Sequence, residues 1–424
     1  MMNTAHKLSP QYMQTSSSRI EYKYLQRGYL ILDRFLSDVE VIDKNLSLLR
    51  KDLKCILGDK YDKSLGLDEI YSLIDVEYSD LDVKHLFEFN IEFLRKVFSF
   101  NFFKVLKHIQ ENKAMPTGFP YLGEGYQFYE SLVSSSSYKV SRVAADRFKV
   151  FFQGALASNA VDIHDHYVFL GPGTGHEISV LFDVCSAYDE NFFETLGSLV
   201  LIDLSKSVLD ATFQTIERQF SLQDFNLEYK ALIGDFESIK IKPINSSYLG
   251  TMINMFVGFT SGNFNCQNLL GILDNLTLNG SQVVVDTSLY RERSDLDPII
   301  KSYDGEGNKQ FLLNNFALCL RKSGVSEALI SSMYDSFSVD LVSDPVVSDF
   351  VSVQSSTTLH RDIIDVVSEK FNVNLPERLI LMESYRRKAG ALIDYLESNS
   401  FEMVLTRQFK GEHDSLITLI KKAY

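Results

Sequence analysis

Between residues 165 and 290, short apolar and β-branched runs alternate with stretches whose apolar positions recur at helical intervals. The runs cover residues 167–170, 199–204, 229–233, 251–257 and 282–285. Their side chains are apolar on both faces, which is the pattern of parallel strands covered by helices on each side, so an α/β sheet is predicted. At the end of the chain, 401–409 and 415–420 are strand-like and flank Lys410-Gly411-Glu412-His413-Asp414, which predicts a hairpin. From about 22 to 112 the pattern is helical instead. Ile42, Leu46, Leu49, Leu53 and Ile56 recur at steps of three and four and form one apolar helix face. A second helix is predicted from about Leu81 to Ile109, with Phe87, Phe89, Phe93, Phe98, Phe100, Phe102 and Phe103 as a stripe for a core or a partner subunit. Residues 1–20 are polar and Ser-rich and read as a loose terminus. Pro116, Gly118, Pro120, Gly123 and Gly125 end the helical region in a loop, and 296–400 is of mixed character.

Composition narrows the class. A chain of 424 residues, 45% hydrophobic and 23% charged with eight prolines, buries a large core and has room for two or three domains. Its 42 Lys and Arg against 56 Asp and Glu leave a net charge of −14, which argues against a nucleic-acid binder but permits a small anionic or zwitterionic ligand. Cys55, Cys185, Cys266 and Cys319 are scattered without paired spacing, so free thiols are expected rather than disulfides or a zinc site. No signal-peptide pattern or uncharged apolar run of about 18 residues occurs, and the expected location is the cytoplasm. Asp162-Ile163-His164-Asp165-His166 has metal-ligand residue types but reads as a polar loop before the first strand, and no metal is expected. No nucleophile-elbow arrangement points to a hydrolase.

The chemistry concentrates after the first strand of the sheet. Residues 167–170 run directly into Gly171-Pro172-Gly173-Thr174-Gly175-His176-Glu177, and a helical pattern follows. Glycines there let the backbone turn sharply and approach a ligand, and the helix start supplies N–H donors. His176 stands where a dinucleotide fingerprint needs its last glycine, which disfavours a nicotinamide or flavin enzyme. Asp203 ends the next strand, where a carboxylate can accept both hydroxyls of a ribose. Asp235 follows the third, positioned for an adenine amino group with Phe236 against the base. Either acid alone is equally read as a helix N-cap. Together with the glycine loop they fall on three successive strand ends at the carboxyl edge of the sheet, where open α/β folds bind ligands.

This layout resembles the class I S-adenosylmethionine-dependent methyltransferases, whose sheet ends in an antiparallel strand. That family's acidic residue two positions before the first glycine is Phe169 here, so the cofactor's amino-acid end is held otherwise or bound more weakly. A closer resemblance lies after the fourth strand. Gly258-Phe259-Thr260-Ser261-Gly262-Asn263-Phe264 is similar to the GSTIGNF signature of the histidine-specific methyltransferases, which include the enzyme making trimethylhistidine for ergothioneine. Further matches occur in the family's order, at Gly125–Glu130, Ser137–Arg142, Lys301–Gly307 with Phe311 and Asn314-Asn315, and Ile380–Arg387 with Ala389-Gly390. Together they span about residues 119–422.

The resemblance implies S-adenosylmethionine as cofactor, held by Gly171, Gly173, Thr174, Gly175, Asp203, Asp235 and Phe236. It implies a small amine or amino acid as acceptor. Asn263 would hold its amino group, Tyr138 and Tyr303 its carboxylate and body, and Glu383 the imidazole of a histidine-like substrate. The family's serine two positions after that acid is Tyr385 here, and its lysine four positions on is Arg387; this departure puts histidine in question. The reaction needs no metal, only an unprotonated amine about 3–3.5 Å from the sulfonium methyl. An α-amino group of pKa about 7.7–8.0 is easily brought to that state. The expected organisation is an N-terminal helical extension (1–112) open to self-association or a protein partner, a substrate lobe from 113–160 and 296–400, a Rossmann-like core at 161–295, and the terminal hairpin at 401–424. The predicted activity is N-methylation of an amino acid or related amine. A different acceptor, such as an aromatic amino-acid derivative or peptide, and a catalytically silent interaction protein are the alternatives.

Overall fold

The structure, a computed structural model, describes residues 12–14, 19–24, 91–135, 140–195, 198–220, 229–233, 251–411 and 413–423. Two short strands, β1 (Tyr12–Gln14) and β2 (Arg19–Tyr24), come first. The sheet strands β3 (His166–Leu170), β4 (Ser198–Asp203), β5 (Tyr229–Ile233), β6 (Met252–Phe256) and β7 (Gln282–Ser288) follow, each within a residue or so of its predicted run except that β7 extends three residues further. Strands β8 (Ser338–Ser343), β9 (Phe350–Thr358) and β10 (Arg378–Arg387) make a separate antiparallel sheet in the order β10-β9-β8. Strands β11 (Phe401–Phe409) and β12 (Ser415–Lys422) are the expected hairpin.

The main sheet has the order β1-β2-β5-β4-β3-β6-β7-β12-β11. Strands β5 to β7 are parallel neighbours, and chain order reverses across β3, where β4 lies on one side and β6 on the other. Loops on either side of β3 therefore diverge and open a crevice at the carboxyl edge. β12 enters antiparallel beside β7, with Ile417 opposite Asp286, and β11 closes that end. At the other end β2 pairs with β5, Ile20 opposite Tyr229. The sequence pattern reads these first residues as a loose terminus entering a helix. Ile20, Tyr22 and Tyr24, residue types that favour extended backbone, instead join the ladder between β1 and β5.

The helices are α1 (Ile91–Asn112), α2 (Gly125–Ser134), α3 (Val140–Ala157), α4 (His176–Tyr188), α5 (Lys206–Phe220), α6 (Cys266–Leu276), α7 (Asp297–Tyr303), α8 (Glu306–Lys322), α9 (Glu327–Asp335), α10 (Arg361–Phe371) and α11 (Ala389–Ser398). On one face of the main sheet, Tyr167, Phe169 and Leu201 pack with Phe148 and Phe152 of α3 and Ile178 and Phe182 of α4. On the other, Val168, Leu170 and Phe256 meet Leu269 and Leu273 of α6 and Leu392 and Leu396 of α11. Burying each such side chain stabilises the fold by about 1.5–3 kcal/mol. A third core joins Phe102, Leu106 and Ile109 of α1 to Phe311 and Phe316 of α8, Met333 of α9, Ile363 of α10 and Leu381 of β10.

Phe102 of the predicted stripe is thus core, edge-on to Phe371 at 5.5 Å. Phe87, Phe89 and the predicted helix at Ile42–Ile56 lie outside the described residues. Cys185, Cys266 and Cys319 are free and buried. Among the described residues no helix is long and apolar enough to cross a membrane. The stretch at 162–166 is a tight loop, with Asp165 accepting the N–H groups of Asp162 and Thr251, each at 2.8 Å.

Candidate functional site

The loop after β3 turns through three left-handed glycines, Gly171 at φ 62°, Gly173 at φ 56° and Gly175 at φ 80°. A side chain at 175 would meet Thr212 of α5 at 3.1 Å. Thr212 Oγ1 in turn donates to the Gly173 carbonyl at 2.9 Å, so α5 pins the loop from behind. Gly171 and Gly173 line an open cleft, while Thr174 and Gly175 shape the turn behind it and Gly175 caps α4. A Cβ on Gly173 would come within 3.3 Å of the Tyr129 hydroxyl, so the bare backbone is what keeps this cradle open.

Asp203, at the end of β4, lines the same cleft, its Oδ1 accepting the Ser205 N–H at 2.8 Å. Asp235, Phe236 and Tyr138 lie outside the described residues.

The turn after β6 is held in an unusual shape. Gly258 (φ 68°) and Phe259 (φ 61°) are both left-handed, and a short 3-10 turn, Thr260–Asn263, follows. For Phe259 that conformation costs about 1–2 kcal/mol. Three contacts offset it. Ser261 Oγ donates to the Asp286 carbonyl at 2.6 Å, and the Phe259 N–H donates to the Asp286 carboxyl. Arg387, fully buried, donates through Nη2 to the Phe264 carbonyl at 2.6 Å and through both Nη atoms to Ser261 O at 3.4 Å. Burial, and then the adjacent Arg386, lower the Arg387 pKa to about 10. The result is that Asn263 stands in the cleft facing the Tyr121 hydroxyl.

Two buried carboxyls support this turn. Glu177, in the first turn of α4, lies against Gly258, 3.3 Å from where a Cβ would be. Burial raises its pKa to about 7. Asp286 is raised well above the carboxylate range, first by burial and then by Glu177. Phe169 packs in the core beneath, 1% exposed.

The far wall of the cleft comes from α7 and β10. Tyr303 OH donates to Ser384 Oγ at 2.8 Å, and Arg386 donates to Ser384 Oγ at 2.7 Å and to the Tyr303 oxygen at 3.4 Å. The structure brings Gly171, Gly173, Asp203, Asn263 and Tyr303 to one cleft. It places Glu383 and Tyr385 on the other face of β10, where they line a neighbouring cavity that also touches Asn263. Glu383 there accepts a hydrogen bond from Gln354 at 3.1 Å.

Sequence reading missed Tyr121, Tyr129, Met382 and Ser384, and took Arg386, within the charged run 386–388, for a solvated helix face that could also meet a substrate carboxylate; all five line the cleft, and Arg386 is a buried strand residue. Strand alternation around the Glu383 motif carried the signal for the last three, because a strand presents every second side chain to one face. Tyr121 and Tyr129 sit in and after the Pro/Gly loop, and their convergence with Phe311 is visible only in three dimensions.

Comparison with known proteins agrees with this geometry. The family model for histidine-specific, SAM-dependent methyltransferases matches residues 102–404. A search of curated proteins gave no significant match. Among solved structures, magnesium protoporphyrin IX methyltransferase from Synechocystis PCC 6803 with bound SAH is similar at 9% identity, TM-score 0.37, over 72% of this chain and 96% of that one. A glycopeptide N-methyltransferase complexed with S-adenosylmethionine is similar at 9% identity, TM-score 0.32, over 64% and 86%. An amino pentose methyltransferase from Micromonospora echinaspora matches at 9% identity, TM-score 0.30, over 69% and 95%. With most of the chain matched by one family model, and the glycine loop, Asp203 and Asn263 gathered in one cleft, the protein belongs to the histidine-specific, S-adenosylmethionine-dependent methyltransferases.

Proposed function

We propose that this methyltransferase N-methylates the amino group of an amino acid. The observation that supports the reading is the position of Asn263, which shares one cleft with the Gly171–Gly173 cradle and Asp203 on one side and with Tyr303 on the other. The cradle fits the cofactor, since a backbone without side chains leaves a groove that a Cβ at 173 would narrow. Gly171, Gly173 and Asp203 would hold it, with the remaining adenine contacts expected from Asp235 and Phe236. Bound S-adenosylmethionine supplies an activated methyl group.

The chain's own work is positioning. Asn263, fixed by the strained turn and the Arg387 clamp, offers an amide to the acceptor nitrogen and orients its lone pair. Tyr121 and Tyr303 flank that nitrogen and suit an ammonium that gains positive charge as methylation proceeds. The acceptor nitrogen reacts as the neutral amine, so its proton leaves before the methyl group arrives.

Calorimetric titration with S-adenosylmethionine is the test of the cofactor side. Asp203→Ala is expected to weaken binding about 10- to 100-fold, the loss of hydrogen bonds made by a charged group. Asn263→Ala is expected to leave cofactor affinity within about twofold and to lower methyl transfer to amino acids by about 100-fold or more. Equal transfer by the Asn263 variant would refute the assignment.

A further inference from the structure

We infer that the acceptor is an α-amino acid with an uncharged aromatic or long apolar side chain, its carboxylate held by Arg386 and Tyr303, and that histidine is not the preferred substrate. This rests on the amino-acid reading above and names the substrate class within it.

The carboxylate subsite follows from Arg386. Its side chain is 6% exposed and lines the cleft, and among the described residues no carboxylate pairs with it. A buried guanidinium without a counter-ion is costly, and an anionic ligand that supplies one recovers that cost through charge-assisted, often bidentate, hydrogen bonds. Arg386 is held ready by Ser384 Oγ at 2.7 Å and by its contact with Tyr303 at 3.4 Å.

The placement relative to Asn263 selects an α-amino acid. A Cβ built on Gly262, the residue before Asn263, would lie 3.6 Å from Arg386 Nη1 and 3.9 Å from Ser384 Oγ. Arg386 thus reaches the short turn that carries Asn263, and the two side chains line one cleft, the arrangement that amino and carboxylate groups on a single carbon call for.

From that corner the space continues into a small side compartment walled by the rings of Tyr121, Tyr129 and Phe311 with Leu132 and Met382, and closed on the α7–α8 side by Ser302, Tyr303 and Asn308. The three rings are mutually packed, with Tyr121 4.9 Å from Phe311 and 5.0 Å from Tyr129. Among the described residues no acid lines this compartment, and Asp203 is the one acid of the described residues lining the main cleft, on the cofactor side. An imidazole or a cationic side chain would find no carboxylate there, whereas a ring or long aliphatic chain would bury its surface. Strand alternation explains the difference from the family pattern. The acid–x–serine–x–base spacing, set on the β10 face that lines the cleft, reads Met382, Ser384, Arg386. The serine and the base are kept, and the acid is a methionine. Glu383 is on the opposite face and is engaged by Gln354.

The experiment is methyl transfer from labelled S-adenosylmethionine to a panel of amino acids, with the cofactor's Kd measured for every variant as a check on folding. Phenylalanine, tyrosine, tryptophan, leucine or methionine is expected to exceed histidine in kcat/KM by about tenfold or more. Phenethylamine, tyramine and tryptamine, which lack the carboxylate, are expected to fall about 100-fold below their parent amino acids. Arg386→Gln should raise KM for the amino acid about 20-fold or more, move kcat less, and leave the amines unaffected. Arg386→Lys, which keeps the charge, should recover part of that loss and serves where Arg386→Gln does not fold. Met382→Glu should shift preference toward histidine, and Glu383→Gln should not change the ratio. Histidine as the best substrate, or an amine as good as its parent amino acid, would overturn the inference alone. Tight cofactor binding with no transfer to any amino acid would overturn the amino-acid reading, and this inference with it.

Discussion

Glu177 and Asp286 are carboxyls that the fold prefers to keep protonated, and that preference has a direction in pH. Glu177 titrates near 7 when folded against 4.5 for an ordinary glutamate, a difference worth roughly 3 kcal/mol. Below about pH 4.5 both folded and unfolded forms carry the proton and the native state pays nothing. Between there and pH 7 only the folded form holds it, so stability falls as pH rises, and the loss is complete above 7. Asp286 extends the same fall to higher pH. Glu177→Gln is therefore expected to raise Tm at pH 8 and to change it little at pH 5, and thermal melts at the two values check this. Arg387 gives a second expectation at this scale. Arg387→Ala removes the donor to two buried carbonyls and should destabilise the protein by about 2–4 kcal/mol in urea unfolding, with loss of acceptor turnover. The residues that could be read from sequence alone, Asp203 and Asn263, combine a telling residue type with a telling place, at the end of an apolar run. Arg387 could not be read that way, because nothing in a run of Arg386-Arg387-Lys388 distinguishes a buried clamp from a solvated surface charge.

The elements divide along the same line. Strands β3 to β7 were legible because both faces of the sheet are buried and each strand is an apolar run. The hairpin of β11 and β12 was legible because its loop residues separate two such runs. The sheet of β8 to β10 was not. Its middle strand β9 buries Ser352, Gln354, Ser355, Ser356 and Thr357, polar residues that read as loop. Three of them are bonded by neighbours, Ser356 Oγ to Ser338 Oγ at 3.1 Å, Thr357 Oγ1 to the Met333 carbonyl at 2.7 Å and Gln354 to Glu383 at 3.1 Å, while the Ser355 hydroxyl is buried without a partner among the described residues. Glycine at 175 is an element-scale requirement, since it joins β3 to α4. Gly175→Ala combines a left-handed backbone with a Cβ 3.1 Å from Thr212, and is expected to cost about 1–2 kcal/mol and weaken cofactor binding, read by denaturation and calorimetry.

In the whole molecule, the two sheets meet where the cleft lies. The Tyr290 N–H, just past β7, donates to the Arg387 carbonyl at the end of β10 at 3.1 Å. At the other end of β10, Met115 donates to the Ile380 carbonyl at 2.7 Å, which ties in the segment leading from α1. Ligands that bridge the cleft hold both sheets, so cofactor at about 100 times its Kd should stabilise the protein by about 2.7 kcal/mol. Added acceptor should extend hydrogen-exchange protection from the glycine loop to β10. The pairing of β10 with β9 slips by one residue between Ile380 and Met382, which leaves Leu381 as the extra residue. Everything downstream keeps the phase set there. The bulge works like a reading frame: with it, Met382, Ser384 and Arg386 face the cleft, whereas a regular ladder that absorbed Leu381 opposite Ser355 would turn Glu383, Tyr385 and Arg387 to that side instead.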